Sequence, residues 1–209
     1  MKNILIRSAV GISCISLLVL NGCISVPNSP NPRFYMLEAV PENQESKKIN
    51  TVSNITIGIG PIKIPEYLDR PQMVTQSDEK TLKFAQFDRW GEYLDIGVAR
   101  LIRENLAAAL PSGKYILYPW VSSVPVKYQV TVEIIQLDSQ LDRDLFLSAQ
   151  WTIIDTITSK PLFMKRSEFR KSIMPQNYAG LAKTLSLVCT SVSDEIAQEL
   201  SILQAPKVD

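Results

Sequence analysis

The chain has 209 residues, 45% of them hydrophobic, with 22 basic and 21 acidic side chains and no histidine. That length and apolar content allow one sizeable core, while a near-neutral balance without a basic block excludes a polybasic grip on nucleic acid or anionic lipid. Without histidine there is no Ser-His or Cys-His nucleophile activation, no HExxH zinc chemistry and no imidazole acid–base catalysis.

Lys2 and Arg7 open the chain and are followed by an apolar run carrying Val10, Ile12, Ile15, Leu17, Leu18, Val19 and Leu20. A charged start, a short apolar core and a small-residue exit form a secretory signal. The run is too short for a membrane-spanning helix, which takes roughly 20 apolar residues, and Gly11, Ser13 and Ser16 interrupt it. Its end, Leu20-Asn21-Gly22-Cys23, resembles the bacterial lipoprotein lipobox. Cleavage after Gly22 would leave Cys23 at the new N-terminus, carrying covalent lipid. An ordinary secretory signal is the competing reading, but it gives no reason for a cysteine at that position. Each buried methylene contributes about 0.8 kcal/mol, and stable anchoring takes more than one acyl chain, which a lipoprotein cysteine provides. Ile24 rather than Asp follows Cys23; in the lipoproteins this resembles, that favours the outer membrane. Loss of Lys2 and Arg7 with the leader moves the net charge from +1 to −1. Cys14 leaves with the leader and Cys23 is lipidated, so Cys189 is the one thiol remaining and no internal disulfide is expected.

Residues 24–33 contain Pro27, Pro30 and Pro32 among Asn and Ser, the composition of a semi-stiff tether. At ~3.1 Å per residue it would reach about 30 Å. Phe34 to Leu37 is a short strand, and Pro41 to Asn50 a polar loop. Ile55 to Ile59 alternates as a half-buried strand ended by Gly60-Pro61, with Ile62-Lys63-Ile64 extended before Pro65. Met73 to Thr75 and Leu82 to Phe87 flank a polar turn and predict a hairpin. From Glu92 to Leu110 the spacing of Leu94, Val98, Leu101, Ile102 and Leu106 changes to that of a helix, stopped by Pro111-Ser112-Gly113. The run Ala107-Ala108-Ala109 suggests close packing of its last turn on a sheet.

Further strands are expected over Tyr115–Tyr118, Tyr128–Ile134 and Leu145–Ile153, with Leu137 to Asp144 as a hairpin loop. Leu162 to Ile173 is a charged strand suited to a sheet edge. Tyr178, Leu181, Leu185, Val188, Val192, Ile196, Leu200 and Leu203 form one stripe of a long amphipathic helix, and Cys189 lies within it as a small buried hydrophobe. Residues 1–22 thus read as signal peptide, 23–33 as lipidated N-terminus and tether, 34–204 as one domain, and 205–209 as a tail. The fold class is α/β, with α+β the alternative: a single domain with a mixed β-sheet and two principal amphipathic helices.

Two segments stand out: Pro65-Glu66-Tyr67-Leu68-Asp69-Arg70-Pro71-Gln72-Met73-Val74-Thr75-Gln76, and Phe87-Asp88-Arg89-Trp90-Gly91-Glu92-Tyr93-Leu94. On residues alone, Pro65 and Pro71 shape a crossover, Asp69 and Arg70 close turns, and Arg89 beside Trp90 suggests a surface cation–π pair, with Trp90 in the core as the alternative. Pro119-Trp120 reads as a packed strand end, with a lipid contact as the alternative. The carboxylates Glu66 with Asp69, and Asp138 with Asp142 and Asp144, lack an accompanying nucleophile elbow, phosphate loop or metal spacing, so no enzyme activity is expected.

An extended strand, then Pro-x-Tyr-Leu-Asp-Arg-Pro-Gln-x-Val-Thr, then Arg-Trp-x-Glu at the start of a helix, all behind a lipobox, resembles the ABC-type transport auxiliary lipoprotein family. Gly91 and Tyr93 stand where that family carries Ala or Ser and then Pro, and Gln76 stands in place of a basic residue. The resemblance implies a non-catalytic subunit at the outer membrane that engages an MCE-type periplasmic protein of a lipid transport system. It requires no cofactor beyond the lipid on Cys23. Pro65, Tyr67, Leu68, Asp69, Arg70, Pro71, Gln72, Arg89, Trp90 and Glu92 become candidate partner-binding residues, with assembly into a homo-oligomer as a further expectation. A lipid-binding carrier with its own apolar cavity and an envelope-assembly lipoprotein outside any MCE complex are the alternatives.

Overall fold

The computed structural model describes residues 30–39, 55–77 and 79–205; the expected signal, the lipidated Cys23, most of the tether and the tail beyond Ala205 lie outside them. The strands are β1 (Arg33–Tyr35), β2 (Thr56–Lys63), β3 (Gln72–Gln76), β4 (Leu82–Trp90), β5 (Lys114–Leu117), β6 (Tyr128–Ser139), β7 (Asp144–Asp155) and β8 (Lys160–Ser172). The helices are α1 (Leu94–Ala109) and α2 (Tyr178–Gln204), with a single 3-10 turn at Glu66–Leu68. The single α/β domain expected from the sequence is what forms.

Five strands make one sheet in the order β5-β2-β6-β7-β8, and three make a second in the order β1-β4-β3. β2 runs parallel to both β5 and β6, whereas β6, β7 and β8 form an antiparallel meander. Alternation sorts the side chains of β6: Tyr128, Val130, Val132 and Ile134 point into the core, and Gln129, Thr131 and Glu133 point out. Both helices cover the inner face, α1 against β2 and β5 and α2 against β7 and β8. Trp151 at the centre is fully buried and stacks on Phe163 with ring centroids 5.2 Å apart. Its indole N–H donates to Ser167 Oγ at 3.1 Å, as a buried indole requires. Lys165, on the edge strand, reaches Glu195 of α2 at 2.9 Å. The charged segment is therefore an edge strand, as its composition predicts.

The link from β5 to β6 crosses the helix-free face. There Trp120 lies over Gly58 of β2 so closely that a Cβ on Gly58 would sit 2.5 Å from the indole ring. Pro119-Trp120 is thus a strand end folded back on its neighbouring strand. An open groove of about 550 Å³ lies beside it, lined by Trp120, Val126, Gln129 and Ile154 among others.

Several expected boundaries move. Gly60-Pro61 does not end β2, which continues to Lys63 through a register shift between Ile59 and Ile62; a bulge absorbs the proline that a regular ladder would reject. The loop expected over residues 137–144 shrinks, because β6 runs to Ser139 and β7 begins at Asp144. Ala107 and Ala108 are exposed and serve helix propensity; of the alanine run, Ala109 is the one half-buried against the core. α1 starts at Leu94 instead of Glu92, with no side-chain cap from Tyr93. Arg89 and Trp90 consequently end β4 and do not open a helix.

Candidate functional site

The two motif segments meet at the small sheet. After β2 ends, Pro65 enters the 3-10 turn and Leu68 drops into the core with 4% of its surface exposed. The Leu68 amide donates to Pro65 O at 2.9 Å, and the Asp69 amide to Glu66 O at 3.1 Å. The phenolic hydroxyl of Tyr67 donates to Leu137 O at 3.3 Å and accepts from Leu137 N at 3.4 Å. Burial pushes the Tyr67 phenol above its ordinary pKa. Ser139 Oγ donates to Val74 O at 2.9 Å, and Gln76 Nε2 donates to Asp138 Oδ1 at 2.6 Å. β2 pairs with β6 only as far as Glu133. Beyond that point, side chains of this segment stand in for a backbone ladder along the second half of β6.

The second segment closes the sheet. Trp90 N donates to Pro71 O, and Gly91 N to Tyr35 O, both at 2.7 Å. Trp90 and Asp88 are 7% and 5% exposed. Asp88 accepts from Arg33 at 2.8 Å and from the Tyr35 hydroxyl at 2.8 Å. Burial, with the bond to Asp88 behind it, raises the Tyr35 pKa. Glu92 accepts from Arg100 at 2.6 Å, and the same guanidinium donates to Leu37 O at 2.6 Å. Tyr67, Leu68, Trp90 and Glu92 are thus framework residues: they hold the small sheet, β6 and α1 together.

The other candidates face out. Register places Phe34, Arg89 and Gln72 in one row across β1, β4 and β3, and directly opposed strand residues share a face. Past a register shift, Val74 of β3 is opposed by Phe84 of β4. Arg70 lies over the Phe84 ring, its guanidinium carbon 4.2 Å from the centroid, within cation–π range. Asp69 and Pro71 are exposed, while Pro65, Arg70, Gln72 and Arg89 are half-buried. The cation–π pair expected between Arg89 and Trp90 does not form, because consecutive strand residues point to opposite faces; the pair is Arg70 with Phe84. The sequence reading missed Phe34 and Phe84, which are 62% and 47% exposed. The paired turn around residues 77–81 was the available signal for where Phe84 points.

Among the described residues no group of three or more carboxylates or cysteines is placed to hold a metal ion. Asp144 instead pairs with Arg170 at 3.0 Å, and Asp138 takes Gln76. Cys189 is 2% exposed, and burial raises its thiol pKa to about 12, which makes it a poor nucleophile. Beneath the helices, between Val98, Ile102, Val132, Leu147, Cys189 and Val192, the core leaves a void of only about 10 Å³.

A family model described as the ABC-type transport auxiliary lipoprotein component matches residues 35–197. No curated protein matches the chain. A crystal structure of an uncharacterised protein is similar over 82% of this chain and 99% of its own, at 17% identity and a TM-score of 0.66. The crystal structure of protein XCC0632 from Xanthomonas campestris is similar over 82% of this chain and 95% of its own, at 8% identity and a TM-score of 0.63. At such identities the likeness to both is one of fold.

Proposed function

The chain belongs to the ABC-type transport auxiliary lipoprotein family, and from that membership we propose that it is a non-catalytic accessory subunit of an MCE-type lipid transport system, held on the periplasmic face of the outer membrane. Lipid on Cys23 anchors it, residues 24–33 give it reach, and the outer face of the small sheet engages the periplasmic partner. The observation that carries the reading is the division of the motif residues. Tyr67, Leu68, Trp90 and Glu92 are spent on the framework, whereas Asp69, Arg70, Pro71, Gln72 and Arg89 are left outward beside two exposed phenylalanines. A near-neutral domain docks by shape and apolar contact more than by long-range steering.

Two measurements test it. Cys23→Ala protein should move from the outer-membrane fraction to the soluble periplasm; a variant that stays fully membrane-bound overturns the anchor. Full-length protein should co-purify with an MCE-type protein from detergent-solubilised envelopes. Recovery of cell-wall or outer-membrane assembly factors instead would favour the envelope-assembly role.

Direct lipid carriage is a second reading, suggested by the volume of the groove beside Trp120. An acyl chain needs a space of some hundreds of Å³, which the core void lacks; the open groove has the volume, with Gln129, Thr156 and Ser159 lining it beside Trp120, Val126 and Ile154. Native mass spectrometry of protein purified with its lipids separates the two: stoichiometric lipid supports carriage, and an empty chain supports the accessory role.

A further inference from the structure

We infer that Arg70 and Arg89 form a carboxylate-recognition pair, and that the outer face of the small sheet takes an acidic segment of the partner protein. The inference rests on the docking role proposed above and names its chemistry.

Among the described residues, five other arginines pair with carboxylates, and Arg143 bonds Gln140. Arg33 pairs with Asp88, Arg100 with Glu92, Arg103 with Glu104, Arg166 with Glu168 and Arg170 with Asp144. Arg70 and Arg89 have no carboxylate within ion-pairing distance among the described residues, although Glu66 and Asp69 lie close in sequence. In both, the Nε–H is shielded from solvent without an acceptor among the described residues, and the side chain is only half-buried, so an incoming carboxylate would meet the Nη groups. A guanidinium presents its donors as a planar fork that matches a carboxylate, and a buried donor without a partner is a cost that natural structures rarely leave standing. Arg89 lies on β4 and Arg70 in the bend just before β3, over Phe84 of β4, one from each motif segment.

The surroundings favour a peptide over a lipid surface. Phe34 shares a row with Arg89, and Phe84 lies under Arg70. Aromatic rings beside paired cations exclude water and strengthen a charge-assisted bond. They also add apolar contact of the kind concentrated at the centres of protein interfaces. Binding to an anionic membrane instead draws on four to eight clustered basic residues; this face brings two arginines. Charge complementarity therefore selects an Asp- or Glu-bearing segment lying across β1, β4 and β3.

The test uses full-length protein in detergent and a fluorescein-labelled hexaglutamate peptide, with hexaglutamine as control, read by anisotropy. Wild-type protein should bind hexaglutamate and not hexaglutamine, with affinity falling as salt rises. The double variant Arg70→Gln/Arg89→Gln should lose about tenfold or more in affinity, the scale of a lost charge-assisted contact. Because removing Arg70 also removes its contact with Phe84, a second measurement needs no variant. In wild-type protein the guanidinium resonances of both arginines should shift when hexaglutamate is added. Undisturbed resonances, equal binding of the neutral peptide, or binding that survives the double substitution would overturn the inference. So would arginine-dependent binding to vesicles of phosphatidylglycerol and phosphatidylcholine without binding to the peptide, which would assign the pair to lipid headgroups. Failure here leaves co-purification with the MCE-type protein intact as a test of the docking role itself.

Discussion

Tyr67 serves both backbone groups of Leu137 through one hydroxyl, giving a hydrogen to the carbonyl at 3.3 Å and taking one from the amide at 3.4 Å. An edge of β6 that no strand pairs is closed by a phenol. Tyr67→Phe keeps the ring and removes the bridge, leaving two backbone groups beside a residue that is 8% exposed. The substitution should destabilise the domain by about 1–3 kcal/mol, the cost of stranded polar groups. Urea unfolding with an unchanged slope and a lower midpoint is the expected record; an unchanged midpoint would show that water replaces the hydroxyl.

Arg100 ties three pieces of chain together, since it bonds Glu92 ahead of α1, Glu104 within it at 3.4 Å, and the carbonyl of Leu37. Arg100→Met should cost about 1–2 kcal/mol, because one carbonyl and one carboxylate lose a charge-assisted donor while partial exposure lets water soften the loss. Thermal unfolding should fall by several degrees. Glu92→Gln should cost less, since the amide oxygen still accepts from the guanidinium.

Asp155 sits at a pKa of about 2, held down first by the Lys127 ammonium at 2.7 Å and then by the amides of Thr158 and Ile157. The unfolded carboxyl titrates near 3.9. A depressed carboxylate contributes stability that is present above about pH 4 and lost as pH falls through about 2. Asp155→Asn should therefore flatten the acid limb of a stability-versus-pH curve between those values, with Lys127→Met doing the same. An acid limb that keeps its full slope in both variants would place the acid sensitivity elsewhere.

Cys189 should be silent to thiol reagents while the protein is folded. In protein carrying Cys14→Ser and Cys23→Ala, Ellman's reagent at pH 8 should label almost nothing before unfolding and one thiol per chain in guanidinium. Rapid labelling of the folded state would contradict both its burial among α2, β6 and β7 and its raised pKa.

Much of this architecture was legible because local patterns map directly onto it. The period-two alternation of Tyr128 to Ile134 and the stripe from Tyr178 to Leu203 gave strand and helix where the structure has them. Patterns without a local signature were lost. Arg89 and Trp90 read as a helix start, but bonds from Trp90 and Gly91 to Pro71 and Tyr35, distant in sequence, hold them in a strand. The alanines at 107 and 108 suit a helix surface as well as a helix interior, so their exposure could not be read from their identity. The division into two sheets was equally hidden, because β2 finds both its neighbours in strands that follow α1. At the candidate site the motif supplied the segment but not its sides. Which residues are framework and which face outward depends on the register of β1, β3 and β4, and Phe34 and Phe84 joined the face only through that register.

The position of α2 has a consequence for how this protein comes to be folded. It is encoded after every strand, yet it covers the inner faces of β7 and β8, and its Ser186 accepts the backbone amide of Glu38 just past β1. While the chain is being made from its N-terminus, the inner faces of β7 and β8 stay partly uncovered until residues 178–204 arrive. Such half-built sheets are the species most exposed to self-association. The core can therefore close fully only once that last helix has packed against the sheet.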